Sequence, residues 1–238
     1  MKSSDELTVD SGAGAVTALA YPAGAPQIGA TLILGHGAGA GQRSPFMVAF
    51  AQALAALGLD VLTFDFPYMQ QRRKVPDRQP VLEACYAKVI AKAREAIPTA
   101  RTHLFIGGKS MGGRIATHAA AADRALAVDG LVLLGYPLHP PGRPNQLRDA
   151  HLKDVGRPML IVQGERDTFG TPAELKPVLT ALRPPPTLHV VTGGDHSLKI
   201  TRSDEAAQAA VYDGVQHLIA DWMRGVITAS PETGRPPR

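Results

Sequence analysis

The chain has 238 residues, 45% hydrophobic and 19% charged, enough to bury a sizeable core and better suited to one α/β domain than to two. Its net charge of +4 does not imply a nucleic-acid partner, because only "QRRKVPDR" is densely basic and no aromatic residue interleaves with it. The start "MKSSDELTVD" offers no apolar signal core and no later run approaches the roughly 18 residues needed to span a bilayer, so the expectation is a soluble, cytoplasmic protein without membrane attachment.

In chain order, the first apolar, β-branched runs are "VTALAYP" and "TLILGHG", each of strand composition. "SPFMVAFAQALAALG" then reads as a helix, with Ser44 as N-cap, Pro45 at the first position, a Phe46, Phe50, Leu54 and Leu57 stripe, and Gly58 as C-cap. After the strand "DVLTFDFP" comes "QRRKVPDR", read as a solvated loop with contact to an acidic ligand as the alternative. In the next helix Leu82, Cys85, Val89, Ala93 and Ile97 share one face. Cys85, the single cysteine, is therefore a small core residue, with no disulfide partner and no metal-site neighbours.

The strand "THLFIGG" leads into the helix start "MGGRIATHAA", and "GLVLLGYP" and "MLIVQGERD" are further strands. "TPAELKPVLTALR" repeats the Ser-Pro grammar with Thr171 and Pro172. "TLHVVTGGD" is the last strand. The last helix, near Asp204 to Arg224, carries Ala207, Val211, Val215, Leu218 and Trp222 on one face. Residues 1–225 form one domain, and 226–238, rich in Pro and charge, are expected to be disordered. Most strands are continuously apolar, as strands covered on both faces must be. Strand alternating with helix predicts βαβ units with right-handed crossovers, hence an α/β fold with a mostly parallel central sheet and helices on both faces.

Two signatures overlap in "LFIGGKSMGGR". A phosphate loop, G-x-x-x-x-G-K-[ST], needs a glycine where this chain has His103, so that reading fails on spacing. The same letters give G-x-S-x-G between a strand and a helix, the turn that presents a nucleophilic serine. A serine hydroxyl needs a histidine base and an acid to orient it, in the chain order Ser, Asp or Glu, His, each just past a strand end. Ser110, Asp167 and His196 meet that order. Glu165 competes with Asp167 for the acid, and Asp195 is assigned to the turn. An oxyanion hole needs two backbone donors: the N–H of Met111 after the nucleophile, and that of Ala38 or Gly37 in "GHGAGAG". His36 in that loop is read as structural.

The same loop also satisfies G-x-G-x-x-[GA], with Asp65 imitating a ribose-binding carboxylate, so a dinucleotide-binding oxidoreductase is a rival. "GQRS" nonetheless displaces the following helix from the glycines that should deliver it to a pyrophosphate.

"GGKSMGGR", the segment "GYPLHPPGRPNQLRDAHL", Asp167 and "DHS" together resemble the α/β-hydrolase superfamily over almost the whole chain. Within it they are similar to the dienelactone-hydrolase-like branch that includes testis-expressed protein 30 and the third subunit of the nonspecific-lethal histone acetyltransferase complex. The resemblance implies the α/β-hydrolase fold and matches Ser110, Asp167 and His196 to nucleophile, acid and base. Dienelactone hydrolases proper use cysteine where this chain has serine. One branch member is a complex subunit, which keeps a noncatalytic interaction domain as the alternative to an enzyme.

About twenty residues separate the "GLVLLGYP" strand from the next, too few for a large lid. Tyr136, His139 and Arg148 there, with Arg43, are candidates for the substrate pocket; pairing of Arg148 with Asp149 to hold the loop is the alternative. Lys109, Arg114, Arg43 and Arg166 flank the motif loops and Arg72 to Lys74 follow the Asp65 strand, which raises the idea of an anionic acyl or leaving group, with plain solubility as the favoured alternative. The function read from sequence is hydrolysis of a small ester or thioester through an acyl-serine, with no metal or organic cofactor.

Overall fold

The computed structural model describes residues 4–200 and 204–229. An eight-stranded sheet is built from β1 (Asp5–Asp10), β2 (Ala15–Tyr21), β3 (Thr31–Gly35), β4 (Asp60–Phe64), β5 (Leu104–Lys109), β6 (Gly130–Leu134), β7 (Met159–Gly164) and β8 (Thr187–Val191), in the order β1-β2-β4-β3-β5-β6-β7-β8. β1 pairs β2, and β2 pairs β4, antiparallel; every later pairing is parallel.

Successive strand residues point to opposite faces, so a strand covered on both sides is apolar throughout. β3 shows this directly: Leu32 and Leu34 enter the core on one face and Ile33 that on the other. The helices α1 (Pro45–Ala56) and α6 (Glu205–Ala229) cover the first face, through Phe50, Leu54, Ile219 and Met223. The other face is covered by α3 (Gln79–Ala96), α4 (Met111–Ala122) and α5 (Pro172–Thr180), through Tyr86, Val89, Ile115 and Leu175. A four-residue helix, α2 (Pro67–Gln70), follows β4. Cys85 is buried in α3, as its helical position predicts.

β1 was not predicted, because in "DELTVD" only Val9 is buried and the remaining positions are exposed or half-exposed. In α1 the C-cap is Leu57, with Gly58 following at φ 95°. α6 runs to Ala229, past both its expected end near Arg224 and the expected domain boundary at 225. Residues 230–238 of the predicted tail lie outside the described residues. Between β6 and β7 the only described regular element is a 3₁₀ turn at Leu152–Asp154. Among the described residues no helix is long and apolar enough to cross a membrane.

Candidate active site

The C-terminal ends of the parallel strands are where ligands of such sheets bind, and there the chain turns sharply at Ser110. Its backbone sits at φ 50°, ψ −113°, a conformation that costs a non-glycine residue on the order of 1–3 kcal/mol. The turn closes because its neighbours lack side chains: a Cβ on Gly112 would lie 2.1 Å from the Gly35 carbonyl oxygen, and one on Gly108 2.2 Å from the same atom. Strand β3 and helix α4 therefore touch backbone to backbone beneath the serine.

Ser110 Oγ lies 2.8 Å from His196 Nε2, and His196 Nδ1 lies 2.8 Å from Asp167 Oδ2. Asp167 is fully buried. Its carboxylate also accepts from the Phe169 N–H (2.8 Å) and from Gln163 Nε2 (2.8 Å). Glu165 instead accepts from the Gly193 N–H at 2.7 Å, and Asp195 Oδ1 accepts from the N–H groups of Ser197 and Lys199. The rival acid thus closes a turn, and Asp195 does the same.

Three further side chains hold this arrangement, two of which, Gln163 and Phe169, the sequence did not single out. Fully buried Gln163 donates to Asp167 and to the Gly170 carbonyl (2.7 Å), and accepts from the Tyr136 N–H (2.8 Å). Phe169 stacks on the His196 ring, centroids 4.1 Å apart. Lys109, expected as a loop-flanking cation that could face an anionic substrate, is instead buried and donates through Nζ to the His196 carbonyl. Burial pulls its ammonium pKa down to about 8, against the pull of the Asp167 and Asp195 charges. A polar residue inside an apolar strand, as at Gln163, was the one available signal.

Met111 is the first residue of α4, so its N–H has no carbonyl to reach within the helix. Gly37 and Ala38 line a cavity of about 640 Å³ together with Ser110 and His196. The Tyr68 hydroxyl fixes that loop by donating to the Ala38 carbonyl (2.9 Å). His36 is structural, as expected: fully buried, it bonds the Gly37 carbonyl through Nδ1 (2.7 Å) and accepts from the Phe66 N–H through Nε2 (3.0 Å). Burial lowers its pKa, which keeps the ring neutral. Asp65 accepts from the Gln42 N–H (2.9 Å) and side chain (3.2 Å). The carboxylate that a dinucleotide ribose would use is therefore engaged.

Of the four expected pocket residues, Arg148 reaches a cavity next to Ser110, a second one of about 300 Å³. Tyr136 is buried, and its hydroxyl donates to the Arg148 carbonyl at 2.7 Å, so it holds the loop instead of facing substrate. His139 is buried with Nδ1 on the Pro140 carbonyl and Nε2 3.4 Å from Glu174. Arg43 pairs with Glu6 on the exterior (3.1 Å). Among the described residues no three His, Cys, Asp or Glu side chains gather as a metal site.

A model of the alpha/beta hydrolase domain matches residues 28–224. The chain belongs to the alpha/beta hydrolase domain family. This alpha/beta hydrolase is similar over nearly its full length to solved structures of the same fold. A serine hydrolase without a lid from Xanthomonas campestris is 22% identical, with a TM-score of 0.74 over 97% of this chain and 98% of that one. Dienelactone hydrolase from Anabaena variabilis is 20% identical, with a TM-score of 0.71 over 94% and 99%. A serine hydrolase homologue from Coxiella burnetii is 16% identical, with a TM-score of 0.72 over 93% and 98%.

Proposed function

We propose that this alpha/beta hydrolase is a serine hydrolase that cleaves a small ester or thioester through an acyl-enzyme. The observation that carries the reading is the chain of two 2.8 Å hydrogen bonds from Ser110 through His196 to a fully buried Asp167. The strained turn at Ser110 supports it, as does the likeness to proteins described as serine hydrolases.

In this mechanism Ser110 Oγ attacks the carbonyl carbon while His196 Nε2 takes the hydroxyl proton. The N–H groups of Met111 and of Ala38 or Gly37 receive the oxyanion. The imidazolium, stabilised by Asp167, then protonates the departing alcohol or thiol. Water repeats the sequence to free the acid. The mechanism calls on no metal or organic cofactor.

The test is intact-protein mass spectrometry after exposure to a fluorophosphonate, which phosphonylates an activated serine with loss of fluoride. One adduct is expected on the wild type and none on Ser110→Ala. A folded wild type that takes no adduct would overturn the hydrolase reading in favour of a noncatalytic interaction domain. With a turned-over ester in hand, Ser110→Ala should lower kcat by on the order of 10⁶.

A further inference from the structure

Ser110 borders two cavities, and the two differ in chemistry. Both are bordered by Ser110, Ala38 and Phe169. The larger also borders His196 and is mainly apolar, with Phe46, Met47 and Tyr212 in its wall; its two cations are Lys109, which donates to the His196 carbonyl, and the exposed Lys199. The smaller does not border His196; its wall includes Met111, Arg114, Arg148 and Asp77.

The mechanism assigns the two sides. A leaving group must be protonated by His196 Nε2, so it departs on the side that the imidazole borders. The acyl chain, bonded to the same carbonyl carbon, extends into the other cavity, beside Met111. There it meets two guanidinium groups. Arg114 Nη1 donates to Gln79 Oε1 (3.1 Å), but its Nε is buried without a partner. The described ion pairs assign no carboxylate to Arg148, neither Asp149 nor any other; its backbone is anchored through Leu138 and Tyr136.

Each nearby acid is engaged through one oxygen. Asp77 Oδ1 accepts from Arg73 (2.6 Å), leaving Oδ2 as a buried, unused acceptor, and Glu83 accepts from Gln79 Nε2 (2.7 Å). Burial, and then the neighbouring Arg148 charge, disfavour the protonated form of Arg114. Arg114 and Arg148 are two half-buried positive charges on one small cavity, and its one carboxylate, Asp77, is already paired with Arg73, so the balance of charge favours an anion there.

We infer that the acyl group is itself anionic: the substrate class is a monoester or monothioester of a short dicarboxylic acid. Its free carboxylate lies between Arg114 and Arg148, and its apolar alcohol or thiol part fills the larger cavity. The inference rests on the serine-hydrolase reading.

The test compares kcat/KM for 1-naphthyl hydrogen glutarate and 1-naphthyl 5-methylhexanoate, in which a branched methyl pair replaces the carboxylate at equal size. Wild type should favour the glutarate by tenfold to a hundredfold, about the worth of one or two charge-assisted hydrogen bonds, and less so at high salt. Arg148→Gln, whose folding is checked by its Tm, should collapse the ratio of the two values towards one, and Arg148→Glu should invert it. A wild type that turns over the neutral ester as well or better overturns the inference. So does failure to cleave either ester while Ser110 still takes a fluorophosphonate. Failure of both cleavage and labelling overturns the hydrolase reading together with it.

Discussion

At the scale of single residues, the placement of Asp167, the proposed acid, depends on Gln163. Its amide spans the β7 end, the Tyr136 peptide, the Gly170 carbonyl and Asp167. Gln163→Leu would leave the Tyr136 N–H and the Gly170 carbonyl without this partner, at about 1–3 kcal/mol each, and would remove one of the three hydrogen bonds that hold Asp167 beside His196. The expected result is a lower Tm together with a lower kcat; a lower Tm with unchanged kcat would confine Gln163 to stability. Asp167→Asn should cost about 10⁴ in kcat through the wrong imidazole tautomer, whereas Glu165→Gln should leave kcat unchanged, since Glu165 only closes the Gly193 turn. The reverse pattern would move the acid to Glu165. Ser110, Asp167 and His196 were legible because each lies at a strand end, where turn chemistry is local. Gln163 and Phe169 were not, because their roles are contacts across the fold. Tyr136 and His139 misled for the opposite reason: proximity to a strand end says nothing about which way a side chain points, and both find partners inward.

At the scale of elements, glycine separates two kinds of helix. Gly112 in α4 faces the Gly35 backbone, and a Cβ there would meet it at 2.1 Å. Gly112→Ala would force helix and strand apart, and a loss of about 3 kcal/mol or more is expected. Gly214 in α6 has nothing within 4 Å of its Cβ position. Gly214→Ala should therefore stabilise by about 0.5–1 kcal/mol through helix propensity alone. Equilibrium denaturation of the two variants checks both signs; a Gly112→Ala protein as stable as wild type would contradict the close packing. The strands β2 to β8 and five helices were readable from apolar runs and from Ser or Thr followed by Pro. β1 was not, because an edge strand buried on one face at a single residue has too little apolar pattern to be seen.

At the scale of the whole molecule, burying Lys109 makes stability depend on alkaline pH. Its pKa falls from the ordinary 10.5 to about 8 in the folded chain. Between those values the unfolded chain binds the extra proton, so stability rises with pH across that window. Relative to Lys109→Met, the wild type should gain up to about 3 kcal/mol from pH 8 to pH 10.5, measured by denaturant unfolding at several pH values; a flat difference would show that Lys109 titrates normally. The parallel core of the sheet was legible from its continuous apolar strands, while the antiparallel start depends on pairings that no local pattern records. Among the described residues the β6–β7 connection carries one 3₁₀ turn and no helical lid to swing away from Ser110 at an oil–water boundary. Hydrolysis should therefore climb with dissolved ester and level off at its solubility limit, instead of jumping when droplets form.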